Sequence, residues 1–383
     1  MTTALVLSGG GARASYQVGV LRAVSEILGS PNANPFQVIC GTSAGAINAS
    51  LLACESDRFH DGVQLLGDLW HSLETSEVHE IGTGAVMSSL FALLRSMWHN
   101  GYVDGKSWSL LDNTPLRELL GRVVRFDRLP DRIAQGELTA LCITALGYTS
   151  GDSVSFFEGR DDLRNWRRHR RVGVPSRLSL DHLMASAAIP GIYPSVLIHR
   201  EYFGDGAVRQ NAPLSPALHL GARKLFVIGV SHNPQENPAH REPTTHSPSL
   251  AQMGMHLMNG SFIDALEGDI ESMMRLNQVI ARLSPADRAG LGLNEVDVMS
   301  ITPSKAFDEV ASRHIKSLPR SMRFLFRTLG ATRRGGGASL ASYLLFESGF
   351  LTELIECGYE DAMSMRGEIE RYLSDSVAVA PPK

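Results

Sequence analysis

The first 52 residues alternate short apolar runs with longer segments whose apolar residues recur at helical spacing. The apolar run at 4–7 predicts a buried strand, and residues 16–28 predict a helix with one apolar face. A second apolar run at 38–40 predicts another strand, and a helix-prone run follows it at 44–52. This order is typical of parallel strands that are joined by right-handed crossovers.

The pattern of apolar positions extends this alternation over most of the chain. Further strands are predicted at 138–146, 154–157, 197–203, 225–230 and 296–301. Further helices are predicted within 60–101 and at 114–122, 181–188, 250–283 and 339–372. Asp181 is expected to cap the helix at 181–188, and the strand at 197–203 is expected to lead directly into Asp205.

One proline-rich stretch interrupts the pattern. Residues 233–249 hold four prolines and no periodic apolar positions, which predicts a long loop. We therefore expect a core at 1–232 and a mostly helical C-terminal part at 250–383 that packs on it. Within the C-terminal part, 333–337 predicts a flexible break, and no motif there carries recognisable chemistry.

Composition narrows the class of protein. The chain has 383 residues, of which 43% are hydrophobic and 20% charged, and its net charge is -4. These values indicate a globular protein and argue against nucleic acid as a partner. The four cysteines are far apart in the sequence, which fits a reducing compartment. With no basic leader and no apolar run of membrane-spanning length, we expect a cytoplasmic protein, with or without peripheral membrane contact.

A Gly-x-Ser-x-Gly pattern lies between the second predicted strand and its helix. It comprises Gly41, Ser43 and Gly45, and strand, sharp turn and helix are the context in which this pattern marks a nucleophilic serine. The two glycines allow the strand and the helix to pack closely around the turn. Ser43 then lies at a helix N-terminus, where free N–H groups favour developing negative charge.

A glycine loop follows the first predicted strand. A phosphate-binding P-loop needs a lysine and a hydroxyl residue at its end, and residues 18–20 supply neither. Gly9, Gly11 and Ala14 formally match a dinucleotide fingerprint, but the second strand carries no carboxylate to bind a ribose. Two interpretations remain, a tight turn and an oxyanion hole whose N–H groups face Ser43, and the nearby nucleophile pattern favours the second.

Four segments, in order along the chain, resemble the patatin-like phospholipase family. They are Gly-Gly-Gly-Ala-Arg at 9–13, Gly-Thr-Ser-Ala-Gly at 41–45, Ala-Ser-x-x-x-Pro at 185–190, and Asp-Gly-Ala at 205–207. The resemblance covers at least residues 4–231. Ala14 stands where the family often has glycine, which reduces backbone freedom without removing an N–H donor.

The resemblance implies a catalytic dyad. Ser43 is expected to be the nucleophile and Asp205 the base that accepts its proton directly. Partial burial is expected to raise the pKa of Asp205, because an unperturbed aspartate is a poor base at neutral pH. Gly206, beside Ala207, is expected to let the backbone turn tightly so that the carboxylate faces the serine.

The resemblance also implies the surroundings of the dyad. The oxyanion hole is expected to comprise the N–H groups of Gly9, Gly10, Gly11 and Ala44. Arg13 is expected either to orient the glycine loop or to bind phosphate. The fold is expected to be a three-layer α/β/α sandwich with a mainly parallel central sheet.

Two alternatives to a dyad enzyme stay open. The order serine, aspartate, histidine fits a triad esterase that uses His232, which follows Asp205 in the chain. His182 and His199 are also possible members of a triad, among 13 histidines. A catalytically silent, lipid-binding regulatory protein is the other alternative.

Two segments suggest contact with lipid. Residues 86–98 are rich in apolar side chains, with Arg95 as their one charge, and predict either a core helix or a cap that meets lipid through Trp98. Residues 164–171 form a dense basic cluster, which predicts either a solvated loop or a patch that attracts anionic head groups.

The function expected from these features is hydrolysis of lipid acyl esters, of phospholipase A or lysophospholipase type, through an acyl-enzyme intermediate. No cofactor and no metal are implied, because the sequence shows no ligand constellation. The lipid class, the position cleaved and the oligomeric state stay open.

Overall fold

The structure is a computed structural model, and it describes residues 1–29, 34–78, 109–232, 264–323 and 337–377. Ten strands are present in these ranges and form one sheet. In chain order they are β1 (Thr3–Leu7), β2 (Val38–Thr42), β3 (Ala140–Gly147), β4 (Ser153–Gly159), β5 (Trp166–Arg168), β6 (Arg171–Pro175), β7 (Val196–Ile198), β8 (Glu201–Asp205), β9 (Lys224–Ile228) and β10 (Asp297–Ile301).

The sheet is mixed, with a parallel centre. Its order is β10-β9-β1-β2-β3-β4-β6-β5, and the four consecutive pairs from β10 to β3 are all parallel. β4 is antiparallel to β3, β5 is antiparallel to β6, and β7 and β8 form an antiparallel hairpin. β8 pairs with the end of β3. The parallel centre was predicted from the alternation of elements, and the antiparallel strands lie at one side of it.

Helices cover both faces of the sheet. They are α1 (Ser15–Leu28), α2 (Ala44–Cys54), α3 (Phe59–Ser72), α4 (Thr75–Val78), α5 (Thr114–Val123), α6 (Leu129–Ala134), α7 (Leu180–Ser186), α8 (Ser215–His219), α9 (Asp264–Ile280), α10 (Pro285–Leu291), α11 (Phe307–His314), α12 (Gly337–Leu344), α13 (Ser348–Ser364) and α14 (Arg366–Val377). A large apolar core lies between the sheet and α1, α2, α3 and α13, and a smaller one lies against α8 and α9. The expected three-layer α/β/α arrangement is therefore present.

The C-terminal part of the chain is integrated into this fold. β10 adds a parallel strand beside β9, and α13 packs against α1. The two helices approach closely because each carries a glycine at the contact. A Cβ on Gly19 would lie 1.8 Å from the Ile355 carbonyl oxygen, and one on Gly358 would lie 2.1 Å from that of Tyr16.

Three local predictions differ from the structure. The basic cluster, for which a solvated loop was one interpretation, contains β5, the tight turn at 169–170 and the first residue of β6. The single strand predicted at 197–203 is two strands, β7 and β8, and Asp205 is the last residue of β8. Ser179 rather than Asp181 occupies the N-cap position of α7, and Asp181 lies in its first turn.

Some predicted features lie outside the described residues: the apolar segment at 86–98, the proline-rich loop at 233–249 and most of the break at 333–337. Within the described ranges, no helix has the length and apolar character that crossing a membrane requires.

Candidate active site

Ser43 lies at the turn between β2 and α2, in a strained backbone conformation. Its φ is 54° and its ψ is -129°, values that a non-glycine residue adopts only where the surrounding structure imposes them. Close packing imposes them here, since a Cβ on Gly45 would lie 2.5 Å from the Leu7 carbonyl oxygen, and one on Gly41 would lie 2.5 Å from that of Gly45. The serine therefore lies at the carboxyl end of β2, with its hydroxyl beyond the sheet.

A second serine fixes the turn from the other side. The Ser43 N–H donates a hydrogen bond to Ser186 Oγ at 2.8 Å, and Ser186 Oγ donates to the Thr144 carbonyl at 2.6 Å. Ser186 ends α7, and Thr144 lies in β3, so the bonds tie the turn to two neighbouring elements. The sequence placed Ser186 in a family segment but gave no signal for this role.

Asp205 reaches Ser43 from β8. The register of β8 on β3 pairs Asp205 with Ala145, near the carboxyl end of β3, and parallel pairing of β2 with β3 places Ser43 at the same edge. The Ser43 hydroxyl donates to Asp205 Oδ2 at 2.5 Å, and the Ala207 N–H donates to Oδ1 at 2.9 Å. Both oxygens of the carboxylate are thus held in a defined orientation.

Burial changes the chemistry of this carboxylate. Asp205 has no exposed surface, and desolvation raises its pKa from 3.8 to about 7, while the hydrogen bonds from Ser43 and Ala207 oppose the rise. Only a glycine fits at position 206, because a Cβ there would lie 2.1 Å from the Thr144 carbonyl oxygen. Gly206 therefore lets the backbone after Asp205 pass close to β3. A base of this pKa is suited to exchanging protons near neutral pH.

The glycine loop passes directly over Ser43. A Cβ on Gly9 would lie 3.0 Å from the Ser43 Cβ, and one on Gly10 would lie 2.5 Å from Val230. Gly11 has a φ of 56° and begins a short 3₁₀ helix, Gly11–Ala14, that leads into α1. The loop and Ala44, the first residue of α2, therefore flank the serine with backbone N–H groups at the start of helical turns.

Arg13 points away from the serine, toward the C-terminal helices. It is 4% exposed, its Nη2 lies 2.6 Å from Asp308 Oδ1, and its Nε and Nη2 donate to Ser342 Oγ at 2.9 and 2.7 Å. Its guanidinium also lies over the Tyr343 ring, 4.1 Å from the centroid. These bonds tie the glycine loop to α11 and α12, an arrangement that suits orienting the loop rather than binding a phosphate in the cleft.

An apolar cleft opens beside Ser43. Its lining residues are supplied by the glycine loop, the serine turn, α2, α3, α4, α5, the segment after α7, and the end of α12 with the residues just after it. They include Gly11, Ser43, Ile47, Trp70, Leu120, Ile189, Tyr193 and Leu344. Almost every side chain named for the cleft is aliphatic or aromatic, so the space beside the hydroxyl suits a hydrocarbon chain.

Two of the three candidate histidines are hydrogen-bonded elsewhere, and the third is exposed. His232 Nδ1 lies 2.9 Å from the Pro303 carbonyl oxygen, and His182 Nδ1 lies 2.9 Å from Ser179 Oγ. His199 is exposed at the turn between β7 and β8. The hydrogen bonds described for the Asp205 side chain join it to Ser43 and Ala207, so the geometry favours a dyad over a triad.

Metal ligation has no support in the described ranges. There, no three histidine, cysteine, aspartate or glutamate side chains are grouped so that they could hold a metal ion.

Comparison with known proteins places these features in a family. A family model described as patatin-like phospholipase matches residues 5–218. A cGAMP-activated phospholipase of Pseudomonas aeruginosa is 27% identical over 224 residues, covering 56% of this chain and 55% of the relative. A calcium-independent phospholipase A2-gamma of Rattus norvegicus is 23% identical over 215 residues, covering 56% of this chain and 25% of the relative.

Two further matches are shorter or more distant. A cUMP-AMP-activated phospholipase of Escherichia coli is 45% identical over 58 residues, covering 15% of this chain and 18% of the relative. The solved structure of VipD from Legionella pneumophila aligns with a TM-score of 0.36 and 12% identity, covering 96% of this chain and 67% of that one. The chain spans little more than half, and often far less, of the length of the relatives it matches in sequence. The family model nevertheless covers more than half of the chain and includes both the glycine loop and the Ser43 turn, so the chain belongs to the patatin-like phospholipase family.

Proposed function

We propose that the protein hydrolyses acyl esters of lipids with a Ser43–Asp205 dyad. The observation that carries this proposal is the 2.5 Å hydrogen bond from the Ser43 hydroxyl to a fully buried carboxylate, beside an apolar cleft. A weak hydroxyl nucleophile needs an adjacent base, and this geometry supplies one without an intervening imidazole. Membership of a phospholipase family supports lipid as the substrate class.

In the first half of the reaction, Ser43 Oγ forms a bond to the ester carbonyl carbon while its proton moves to Asp205 Oδ2. The negative charge passes to the carbonyl oxygen, which accepts hydrogen bonds from the N–H groups of Gly10, Gly11 and Ala44, with Gly9 keeping the loop close to the serine. Each such donor is worth about 3–4 kcal/mol of transition-state stabilisation. The C–O bond then breaks, and Asp205 returns the proton to the leaving alcohol.

In the second half, water releases the acyl group. Asp205, ionised again, accepts a proton from a water molecule whose oxygen attacks the acyl-enzyme carbonyl, and the same N–H groups hold the new oxyanion. Breaking the bond to Ser43 Oγ returns the proton to that oxygen and yields the fatty acid. Arg13 takes no part in these bonds and acts by holding the glycine loop against α11 and α12.

The cleft indicates which part of the substrate the protein binds. Its apolar lining suits the acyl chain, and the polar remainder of the lipid then projects outward from the carboxyl edge of the sheet. A substrate bound with its acyl chain inside and its polar head group outside fits phospholipase A or lysophospholipase activity. The names of the Pseudomonas and rat relatives agree with phospholipid substrates.

A panel of lipids tests the proposed function. Wild type should release fatty acid from at least one of diacyl phospholipid, lysophospholipid and neutral glyceride, and Ser43→Ala should release none above background. The panel is run with and without cGAMP, the activator in the name of the Pseudomonas relative, so that an unstimulated enzyme is distinguished from a silent one. Wild type that hydrolyses no ester under either condition would instead support a lipid-binding regulatory protein.

A further inference from the structure

Two tight hairpins project from the edge of the sheet that carries Ser43. β5 and β6 pair Arg168 with Arg171 and turn through 169–170, while β7 and β8 pair Ile198 with Glu201 and turn through 199–200. Each turn has the sequence His-Arg, and each holds one residue at positive φ, 55° at Arg170 and 54° at His199. The sequence patterns indicated neither hairpin.

Strand register places both turns on the catalytic side. Phe203 pairs with Gly147 at the carboxyl end of β3, so the earlier residues of β8 and the 199–200 turn extend beyond that end. Ser153 at the start of β4 pairs with both Leu146 and Arg171, which puts the 169–170 turn at the same edge. Because β2 and β3 are parallel, this is also the edge where Ser43 lies.

The two hairpins are joined through the turn after β3. Arg170 Nη1 donates to the Ser150 carbonyl at 2.8 Å, and the Ser150 N–H donates to Glu201 Oε1 at 2.6 Å. The Tyr148 N–H adds a bond to the Tyr202 carbonyl at 3.0 Å. The turns are therefore parts of one surface with a defined spacing.

This surface combines basic and apolar side chains. Arg168, Arg170 and Arg200 are exposed around the turns. Three large apolar or aromatic residues stand beside them: Leu197 is 52% exposed, Tyr202, directly opposite it, is 43% exposed, and Tyr148 is 46% exposed.

The acidic side chains of this surface, Asp152 and Glu201, are bound to neighbouring groups of the same surface. Asp152 is buried and lies 3.4 Å from Arg167 and 3.7 Å from Arg170, and Glu201 accepts the hydrogen bond from Ser150. Arginines at 167, 168, 170 and 200 are exposed in the two hairpins, and the exposed Arg209 lies near Gly151 in the turn after β3. The outward charge of the surface is therefore positive.

We propose that this docking face, comprising Tyr148, Arg168, Arg170, Leu197, Arg200 and Tyr202, binds the surface of a bilayer that contains anionic phospholipid. Arginines attract the anionic head groups, and tyrosine and leucine insert at the boundary between head groups and acyl chains. The inference rests on the proposed function and deepens it, since it names how the enzyme meets its substrate.

Chain connectivity links the docking face to the acyl cleft. Ile189 and Tyr193 line the cleft, and three residues after Tyr193 the chain enters β7. A lipid in a bilayer that contacts the docking face is therefore close to the side of the cleft that Ile189 and Tyr193 line, where its acyl chain would enter.

Vesicle sedimentation of the full chain tests the proposal. The Ser43→Ala protein is used so that lipid is not consumed, with vesicles of phosphatidylcholine alone or of equal parts phosphatidylcholine and phosphatidylserine. It should bind the anionic vesicles more tightly, and less so as salt is raised. Adding Arg168→Gln, Arg200→Gln and Leu197→Ser should weaken that binding about 30-fold or more, from the two arginines alone.

A matched control changes similar residues at the opposite edge of the sheet. Arg223→Gln, Met274→Ser and Arg275→Gln alter exposed side chains, and Arg223 and Met274 lie by the amino ends of β9 and β10. This control should bind like its parent. Equal binding to both vesicle types, no loss in the docking-face variant, or an equal loss in the control would overturn the proposal.

Hydrolysis of a water-soluble short-chain ester separates this proposal from the proposed function. With Ser43 restored, the docking-face variant should keep the wild-type rate on that ester, which also shows that it is folded. If the wild type binds anionic vesicles but never hydrolyses the ester, the proposed enzymatic function is refuted and the proposed membrane-binding role of the docking face stands. A variant that loses ester hydrolysis along with binding would count against a role confined to docking.

Discussion

Asp205→Asn is expected to slow ester hydrolysis by a factor of about 10⁴, comparable to removing the oriented acid of a serine triad. The amide keeps the shape of the carboxylate but cannot take the proton that Ser43 must lose, so the hydroxyl stays a weak nucleophile. Ser43→Ala should cost at least as much. Because the two side chains act as one unit, the double variant should be no slower than Ser43→Ala alone.

Steady-state rates on a soluble ester measure this effect, and His232→Ala is the matched control. His232 is the histidine best placed in sequence for a triad, yet its ring is hydrogen-bonded to the Pro303 carbonyl. Replacing it should therefore leave the rate within about twofold of wild type. An Asp205→Asn enzyme that keeps a tenth of the activity would contradict the dyad. So would a His232→Ala enzyme that loses as much as the serine variant.

The rate of soluble-ester hydrolysis is expected to rise steeply with pH up to about 7. Burial raises the pKa of Asp205 to about 7, and only the ionised carboxylate can accept the serine proton. Below that pKa the ionised fraction falls about tenfold per pH unit, so kcat/KM at pH 5 should be about 100-fold below its plateau. The rate rises with pH, and does not fall, because the protonated form of Asp205 that prevails at low pH cannot act as the base.

A pH profile from 5 to 9 distinguishes this account from its simplest competitor. An exposed aspartate with a pKa near 4 would be ionised throughout, and the rate would then be nearly flat above pH 5.5. The residual rate of Asp205→Asn should lack the rise. Thermal unfolding measured at each pH confirms that the wild-type protein is folded at the acidic end, so that a low rate reflects protonation.

The local part of the site could be predicted from the sequence because its geometry is encoded within a few residues. Gly41, Ser43 and Gly45 lie between an apolar run and a helix-prone run, and that succession is enough to predict the turn. The parallel centre of the sheet follows likewise from the alternation of strands and helices.

The antiparallel hairpins could not be predicted in the same way. Their turns have the sequence His-Arg, and the glycine, asparagine or aspartate that usually signals a two-residue turn is missing from both. The arginines around 166–171 also hide the apolar alternation of a strand, so a basic loop was the natural interpretation. Both hairpins are stabilised by pairing with distant strands, β6 with β4 and β8 with β3, which local sequence patterns do not indicate.

Contacts between distant segments were beyond reach of the sequence patterns. The bond from the Ser43 N–H to Ser186 spans 143 positions, and that from Arg13 to Ser342 spans 329. Ser186 lies in the Ala-Ser-x-x-x-Pro segment, but nothing in that segment indicates a hydrogen bond to the Ser43 turn, and Ser342 lies in no pattern that the sequence analysis singled out. Their roles follow only from the way α7 and α12 pack against the glycine loop and the Ser43 turn.

Labelling with a fluorophosphonate, followed by peptide mass spectrometry, tests the central claim most directly, because the reagent reacts with serines activated as nucleophiles. Wild type should carry one adduct, on Ser43, and Asp205→Asn should label far more slowly while His232→Ala labels normally. An adduct on another serine, or equal labelling of Ser43 with and without the Asp205 carboxylate, would contradict the claim that this carboxylate activates Ser43.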